Sequence, residues 1–265
     1  MGLRSDLLGR IPEHLVKQIP EGYEVLGNIA IISVPPEIIP YHNEIIKALL
    51  TKRPSLVTIL NKVTHIQGQE RTAEFFPIFG NQFITTVREF GLIFQLDVRD
   101  VYFSTKMASE RNRIRSLIKP GETIFVPFAG AGPYAITAAA AGAGTIAIEI
   151  SEPACYWMNY NATINHVASN LHIIRGDALQ AIHFLKRYFS RIIIPTPYGL
   201  LKKPDIYLSK LEKNGIAHWI TFCNTDQINN HVKDFSDRGY EVMRCHRCGN
   251  VAPSVSRWIL DIRKP

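Results

Sequence analysis

Three short segments in the middle of the chain carry residue types that suit a nucleoside cofactor. Residues 129–132 form the turn AGAG, between the apolar run 123–128 and the alanine-rich segment 133–141. A glycine turn between a strand and a helix N-terminus leaves room for a ligand beside the backbone. Glu149 ends the next apolar run, and Asp177 follows the one after it. Because the carboxyl ends of parallel strands meet at one edge of a sheet, we expect these features to share one crevice.

The residue types indicate how such a cofactor would be held. A carboxylate at Glu149 can accept hydrogen bonds from both hydroxyls of a ribose. A carboxylate at Asp177 can accept a hydrogen bond from the exocyclic amine of adenine. An aspartate there is equally well explained as a helix N-cap. The turn does not complete the G-x-G-x-x-G pattern of dinucleotide sites, and a short glycine turn followed by a strand-end acid is more typical of S-adenosylmethionine (SAM). An ordinary turn of an α/β domain is the alternative. The candidate cofactor residues are Phe128, Ala129, Gly130, Gly132, Glu149 and Asp177.

Candidates for the reaction itself are less specific. Arg71 and Glu110 have side chains suited to electrostatic stabilisation and to acid–base catalysis. Glu110 also stands at a predicted helix start, where the helix dipole favours a carboxylate. The segment 194–199, IPTPYG, follows a strand and offers a rigid loop with an aromatic surface for stacking a base, or else a plain turn. Its candidate substrate residues are Pro195, Pro197 and Tyr198.

Basic residues near Glu110 predict a surface for RNA. The chain carries a net charge of +7, and Lys106, Arg111, Arg113 and Arg115 lie within ten residues of one another. Residues 245–248, CHRC, have the spacing of half a zinc site, but no second pair completes it, so we predict no metal.

Composition limits the class of protein. The chain has 265 residues, of which 46% are hydrophobic, enough for a sizeable core in one large or two modest domains. It contains no apolar run of about 18 residues and no signal-peptide core, so we expect no membrane contact. Its four cysteines form no disulfide framework, which favours the cytoplasm. We predict a monomer.

The pattern of apolar segments predicts two domains. Residues 1–97 read as a small α+β domain, with one strand over residues 23–34 and a hairpin that pairs residues 74–78 with residues 82–88. Residues 98–265 alternate strands and helices, including a helix over residues 204–213. This alternation predicts a Rossmann-type α/β domain with a parallel sheet covered on both faces. The last two strands are expected to form a hairpin that makes the final strand antiparallel.

Several motifs in order resemble one known family. The chain is similar, from about residue 11 to its end, to the archaeal and eukaryotic tRNA guanosine-37 N1-methyltransferases and to the aminocarboxypropyltransferase of wybutosine synthesis. The resemblance implies a SAM-dependent Rossmann-type methyltransferase domain preceded by a small α+β domain, with tRNA as partner. The matching segments are YEVLGNIAII (23–32), HIQGQER (65–71), GLIFQLDVRDVYFSTKMASERNRIR (91–115), FAGAGPY (128–134) and VAPSVSRWILD (251–261).

The resemblance also implies roles for single residues. Arg71 matches an arginine near guanine O6, and Glu110 matches the glutamate that is proposed to remove the N1 proton. Tyr102 matches an aromatic residue of the cofactor pocket. Glu149 matches the ribose-binding acid, and Asp177 matches the acid at the adenine end.

The chain departs from the family pattern at informative places. Val126 stands where the first strand usually ends in aspartate, and Pro195 stands where an asparagine orients the target base. The wybutosine transferase also lacks that asparagine, so transfer of the aminocarboxypropyl group is the alternative to N1-methylation. A tRNA-binding paralogue with altered activity is a third. The extra N-terminal domain of archaeal methyltransferases is expected to be missing here.

Overall fold

A computed structural model describes residues 2–63, 74–200 and 203–265 of the chain. The chain divides into two compact units, Met1–Phe103 and Ser104–Pro265. The sequence alone puts this boundary slightly earlier, after residue 97. No helix in the described ranges is both long and apolar enough to cross a membrane.

The first unit combines short helices with a small mixed sheet. Strands β1 to β4 form a sheet in chain order, in which only β2 and β3 run parallel, and β5 pairs with β6 in a separate antiparallel ladder. The apolar side of α3 packs against this sheet and closes the core. The elements are α1 (Leu3–Asp6), α2 (Glu13–Val16), β1 (Glu24–Leu26), β2 (Ile29–Ile32), α3 (His42–Lys52), β3 (Thr58–Lys62), β4 (Phe75–Phe79), β5 (Ile84–Glu89) and β6 (Leu92–Asp97).

The single strand predicted over residues 23–34 is wrong, because the chain reverses in its middle. Gly27 has a φ of +56° and lies between β1 and β2, which pair antiparallel. A Cβ atom at this position would lie 2.2 Å from Oγ1 of Thr85. Glycine therefore serves both the turn and a close approach of the chain, which apolar periodicity does not reveal.

The predicted hairpin of residues 74–78 with residues 82–88 is also wrong. Strand β4 pairs with β3, and β5 pairs with β6 across a two-residue turn at Phe90 and Gly91. Both turn residues have positive φ, +47° and +83°, which is the backbone shape of the tightest hairpin turns. Phe90 is an unusual residue in such a turn, so the residue types do not predict a hairpin here.

The second unit is a three-layer α/β domain. The predicted strand–helix alternation is confirmed, except that the helix expected over residues 204–213 is a single turn after which a long strand begins. The elements are α4 (Ala108–Leu117), β7 (Thr123–Pro127), α5 (Pro133–Ala140), β8 (Gly144–Glu149), α6 (Glu152–Ile164), β9 (Leu171–Arg175), α7 (Ala178–Phe184), β10 (Phe189–Pro195), α8 (Asp205–Leu208), β11 (Leu211–Cys223), α9 (Thr225–Asp237), β12 (Glu241–Ala252) and β13 (Val255–Arg263).

The sheet of this unit has seven strands in the order β12-β13-β11-β10-β7-β8-β9. The five strands from β11 to β9 run parallel, whereas β13 is antiparallel to β11 and forms the predicted hairpin with β12. The chain adds β8 and β9 on one side of β7 and then places β10 on the other side. Such a reversal opens a crevice at the carboxyl ends of the strands, where open α/β sheets bind ligands.

Strands in the middle of the sheet are apolar because helices cover both faces. Phe125 of β7 stacks on Phe189 of β10 with ring centroids 5.1 Å apart, and Trp219 of β11 is fully buried. This packing holds the ends of β7, β8, β9 and β10 in fixed positions, which is what the candidate site requires.

A chain of hydrogen-bonded polar and charged side chains runs through the buried part of the sheet. Arg191 donates from Nε to Glu122 Oε2 at 2.8 Å, and its NH1 lies 2.7 Å from Nε2 of His218. A guanidinium can only donate, so Nε2 accepts and the proton of the imidazole is on Nδ1. Nδ1 lies 2.6 Å from Oδ1 of Asp261. His218 is therefore neutral, in agreement with the lowering of its pKa by burial.

Candidate functional site

The glycine turn after β7 has the backbone shape of a ligand-binding loop. Phe128, Gly130 and Gly132 have φ values of +54°, +57° and +87°. At Gly132, which caps α5, a Cβ would lie 2.6 Å from Met158 Cγ, so this glycine serves packing against α6. At Gly130 a Cβ would meet no heavy atom within 4 Å. The turn therefore leaves open space at Gly130, where a ligand can approach the backbone.

Glu149 ties the turn to the neighbouring strand ends. The N–H of Gly130 donates to Glu149 Oε2 at 2.7 Å, and the N–H of Ser151 donates to Oε1 at 2.9 Å. The N–H of Gly176 donates to the backbone carbonyl of Glu149 at 2.9 Å. The predicted convergence of the glycine turn, Glu149 and the segment before Asp177 is thus present in the structure. Each carboxylate oxygen keeps a lone pair for a further donor.

Asp177 is a helix N-cap, as one of its two predicted interpretations required. Its Oδ1 accepts from the N–H of Leu179 at 2.9 Å at the start of α7. Its charge also acts on the buried hydroxyl of Tyr207, whose pKa is raised mainly by burial. Tyr207 packs edge-on against Phe128 at 5.9 Å. A role of Asp177 toward adenine stays a prediction, and capping leaves Oδ2 available for it.

The loop after β10 presents an aromatic ring beside the crevice. Pro195 ends β10, and Thr196 is buried and accepts from Trp219 Nε1 at 3.2 Å. Tyr198 is 53% exposed, and its ring meets Phe222 at 5.3 Å in an edge-to-face contact. Thr196 thus anchors the loop to the core while Tyr198 faces outward. That Pro195, Pro197 and Tyr198 contact a substrate stays a prediction.

Glu110 lies in the first turn of α4 but does not cap it. Its Oε2 accepts from Arg113 Nε at 2.6 Å, and its Oε1 lies 3.7 Å from Arg244. Its side chain is only 12% exposed. Arginines hold the carboxylate and it makes no capping hydrogen bond, although its place in the first turn suits the helix dipole; a catalytic role stays a prediction.

The expected surface cluster of arginines is only partly present. Arg111 is 3% exposed, and its NH2 donates to the carbonyl of Ser104 at 2.8 Å. Arg113 binds Glu110 and both carboxylate oxygens of Asp261. These two guanidinium groups point into the unit rather than to its surface. Arg111 binds the segment before α4, and Arg113 binds α4 to strand β13. Lys106 is exposed, as expected.

The outcome differs for the three other residues named in the sequence analysis. Arg71 lies outside the described residues. Tyr102 is half-buried near the end of the first unit, and its role toward a cofactor stays a prediction. Val126, at the place where the resemblance implies an aspartate, is a fully buried core side chain of β7.

One group of potential metal ligands involves the CHRC segment. Ligand atoms of Glu110, His246 and Cys248 lie within 4.8 Å of one another, whereas Cys245 is exposed and outside the group. Burial raises the pKa of the Cys248 thiol to about 11, and the charge of Glu110 adds to this. Metal binding needs a thiolate, and Arg113 already engages the carboxylate. The prediction that this protein holds no metal stays a prediction.

Sequence analysis missed three buried polar side chains near the crevice, Tyr134, Tyr207 and Arg257. Neither tyrosine hydroxyl has a hydrogen-bond partner within residues 2–63, 74–200 and 203–265. Arg257 gave one usable signal, because it is a charged residue inside the otherwise apolar strand β13. The tyrosines gave none, because a buried tyrosine is common in a core.

The chain matches two family models. Residues 85–244 match the TRM5/TYW2 methyltransferase domain, and residues 3–83 match the TYW2 N-terminal domain. Among curated proteins, it is similar to tRNA (guanine(37)-N(1))-methyltransferase Trm5b of Pyrococcus abyssi. The two are 31% identical over 213 residues, which are 80% of this chain and 63% of that protein. The chain therefore spans less than two thirds of the length of this relative.

Solved structures give the same fold. The crystal structure of Trm5b from Pyrococcus abyssi matches with a TM-score of 0.83 and 29% identity, over 96% of this chain and 78% of that chain. The crystal structure of P. horikoshii TYW2 in complex with MeSAdo matches with a TM-score of 0.74 and 23% identity, over 98% of this chain and 97% of that chain.

Proposed function

We propose a function from the premise that this chain belongs to the family of the TRM5/TYW2 methyltransferase domain. The protein is a SAM-dependent transferase that modifies tRNA, and its reaction is N1-methylation of guanosine 37 in the anticodon loop. The observation that carries this proposal is the 31% identity to a tRNA (guanine(37)-N(1))-methyltransferase across 80% of the chain. The geometry of the crevice supports the cofactor part of the proposal.

The residues at the strand ends fit SAM. The open space at Gly130 admits a ligand, and the Glu149 carboxylate is held in place by two backbone N–H groups while keeping acceptor capacity. We assign the ribose hydroxyls to Glu149 and the adenine amine to Asp177. When bound, SAM supplies a methyl group that is electrophilic.

Glu110 is our candidate for the general base. Guanine N1 carries a proton at neutral pH, so it must lose this proton to act as a nucleophile. The carboxylate of Glu110 is fixed by Arg113, which orients it before a substrate arrives. The resemblance assigns to Arg71 the stabilisation of negative charge on O6.

We expect Glu149→Ala to weaken SAM binding by about 1–3 kcal/mol, the cost of losing charge-assisted hydrogen bonds to the ribose. Calorimetry with SAM measures this. Glu152→Ala is a matched control, because Glu152 is an exposed carboxylate that pairs with Arg175 at the start of α6. Unchanged SAM affinity in Glu149→Ala, at the level of the control, would contradict the placement of the ribose.

One experiment tests the reaction. The protein is incubated with unmodified tRNA and with SAM labelled either in the methyl carbon or in the aminobutyrate carbons. N1-methylation predicts that only the methyl label enters the tRNA. Loss of that transfer when guanosine 37 is replaced by another nucleotide identifies the target.

The second candidate reaction is transfer of the aminocarboxypropyl group. It is favoured by the match of residues 3–83 to the TYW2 N-terminal domain and by Pro195 at the place of the base-orienting asparagine. Transfer of the aminobutyrate label would support it and would contradict N1-methylation. Binding of tRNA without transfer of either label would indicate an inactive paralogue.

We also propose that the protein works in the cytoplasm as a monomer. The four cysteines are all free thiols in the structure, which suits a reducing compartment.

A further inference from the structure

Arg257 is a buried guanidinium without a carboxylate partner among the described residues. It is 6% exposed. Its NH1 lies 3.5 Å from Ser104 Oγ, at the limit of a hydrogen bond, and its Cζ lies 5.4 Å from the ring centroid of Phe222. A guanidinium has five N–H donors, and within the described part of the chain only NH1 of Arg257 has an acceptor, at that limiting distance. A buried charge in this state is costly and calls for a physical reason.

A second unused donor belongs to the same cluster. The hydroxyl of Tyr134 is buried and has no hydrogen-bond partner among the residues that the structure describes. Arg111 lies 5.6 Å from the Tyr134 ring and donates to the carbonyl of Ser104, so Ser104 contacts both Arg111 and Arg257. Burial raises the pKa of Tyr134 to about 12, and the charges of Arg111 and Arg257 oppose that rise. The hydroxyl therefore keeps its proton at neutral pH and can donate a hydrogen bond.

The carboxylates of this region are committed elsewhere. Asp261 binds Arg113 and His218. Glu110 binds Arg113 and lies 3.7 Å from Arg244. Neither of them forms an ion pair with Arg257 in the described part of the chain, so the cluster around Ser104 has a positive charge that these acids do not neutralise.

The cluster lies at the edge of the sheet where the crevice opens. Arg257 is paired with Phe222 in the ladder between β13 and β11, one residue before β11 ends. The ring of Tyr198, from the loop after β10, contacts the same Phe222. The unused donors are thus on the side of the sheet that carries the proposed cofactor and substrate sites.

We propose that Arg257 and the hydroxyl of Tyr134 hold an oxyanion of a ligand bound in this crevice. The inference rests on the proposed function, which supplies two such groups, the carboxylate of SAM and a phosphodiester of the tRNA. The guanidinium fork matches either of them with two parallel hydrogen bonds. In both cases Arg257 is a binding residue, and its unpaired state without ligand is the cost of a site prepared for an anion.

The test compares three variants of the full chain. Arg257→Met removes the charge and keeps an unbranched side chain, and Tyr134→Phe removes only the hydroxyl. Arg263→Met is the matched control on the same strand, because Arg263 is partly exposed and pairs with Glu241. Calorimetry measures binding of SAM and of decarboxylated SAM, and filter binding measures the affinity for unmodified tRNA over a range of salt concentrations.

The two sources of the oxyanion give different results. If it is the carboxylate, Arg257→Met weakens SAM binding by about 10- to 100-fold and leaves the affinity for decarboxylated SAM unchanged. If it is a phosphate, SAM binding stays the same, tRNA binding weakens by a similar factor, and the salt dependence loses about one counterion. Tyr134→Phe should weaken binding of the same ligand by a smaller factor.

A purely structural role predicts the opposite pattern. Removing an unpaired buried charge should leave the Tm of the unliganded protein equal or higher, whereas removing a structural arginine lowers it. A lower Tm in Arg257→Met with all affinities equal to those of Arg263→Met overturns the inference. A wild-type protein that binds neither SAM nor tRNA refutes the proposed function instead, so the two failures are distinguishable.

Discussion

Glu110→Gln should slow the single-turnover reaction with guanosine-37 tRNA by about 10²–10⁴-fold, the usual contribution of a positioned acid–base group. Glutamine has nearly the size of glutamate but cannot take the N1 proton, so the loss belongs to the transition state. The affinities for SAM and tRNA should change little. Quench-flow with labelled SAM measures the rate, and its pH profile should lack one ionisation that the wild type shows.

The structure identifies the control that this experiment needs. Glu110 is paired with Arg113, so the substitution also removes a partly buried ion pair and lowers stability. Glu122 is a matched carboxylate, because its side chain is 15% exposed and Arg191 holds it at 2.8 Å. Burial raises the pKa of Glu122, but the hydrogen bonds and charge of Arg191 outweigh this and lower it. Glu122→Gln should therefore lose stability in the same way and keep the rate.

The comparison of the two variants decides the role of Glu110. Equal slowing of both would mean that the loss of an ion pair, and not the loss of a base, explains the rate. A Glu110→Gln enzyme as fast as wild type, with the same pH profile, would end the assignment. It would favour aminocarboxypropyl transfer, because a guanine nitrogen of the tricyclic precursor presents different protons.

The convergence of the glycine turn and Glu149 could be predicted because it depends on local sequence and on topology. A glycine turn after an apolar strand has few backbone solutions, and strands connected through helices run parallel, which brings the turn and Glu149 together. The hydrogen bond from Gly130 to Glu149 confirms that placement. The pairing of β5 with β6 was missed because two positive-φ residues, one of them Phe90, make the turn.

The charged residues were harder to place because sequence shows a charge but not its direction. Arg111 and Arg113 suggest a basic surface when counted along the chain, but tertiary contacts turn both inward. Asp261 and Arg257 lie on one strand, four residues apart and both buried. Asp261 binds the guanidinium of Arg113 in α4, 148 residues earlier in the chain. Arg257 has no carboxylate partner among the described residues. Such long-range pairs have no local signal.

Asp261→Asn should lower the free energy of unfolding by about 3–5 kcal/mol, the effect of removing one partner from a buried ion pair. Asparagine keeps the shape of the side chain but leaves the guanidinium of Arg113 facing no charge on that side. Urea unfolding of the full chain measures the loss. Asp234→Asn is the control, because Asp234 is an exposed acid that pairs with Lys203 and Arg238, and its loss should change stability little.

The pH dependence of stability tests the same network in two steps. Burial lowers the pKa of His218 below 6.5, so the unfolded chain binds this proton more readily, and stability falls as the pH falls below about 6.5. Burial raises the pKa of Asp261, but His218 and Arg113 outweigh it, and the pKa lies below its ordinary 3.8. A second loss is therefore expected below about pH 4. In Asp261→Asn the second loss should disappear while the first remains, since the asparagine oxygen can still accept from Nδ1. Wild-type stability that stays level from pH 7 to pH 5 would contradict a neutral His218 between Arg191 and Asp261.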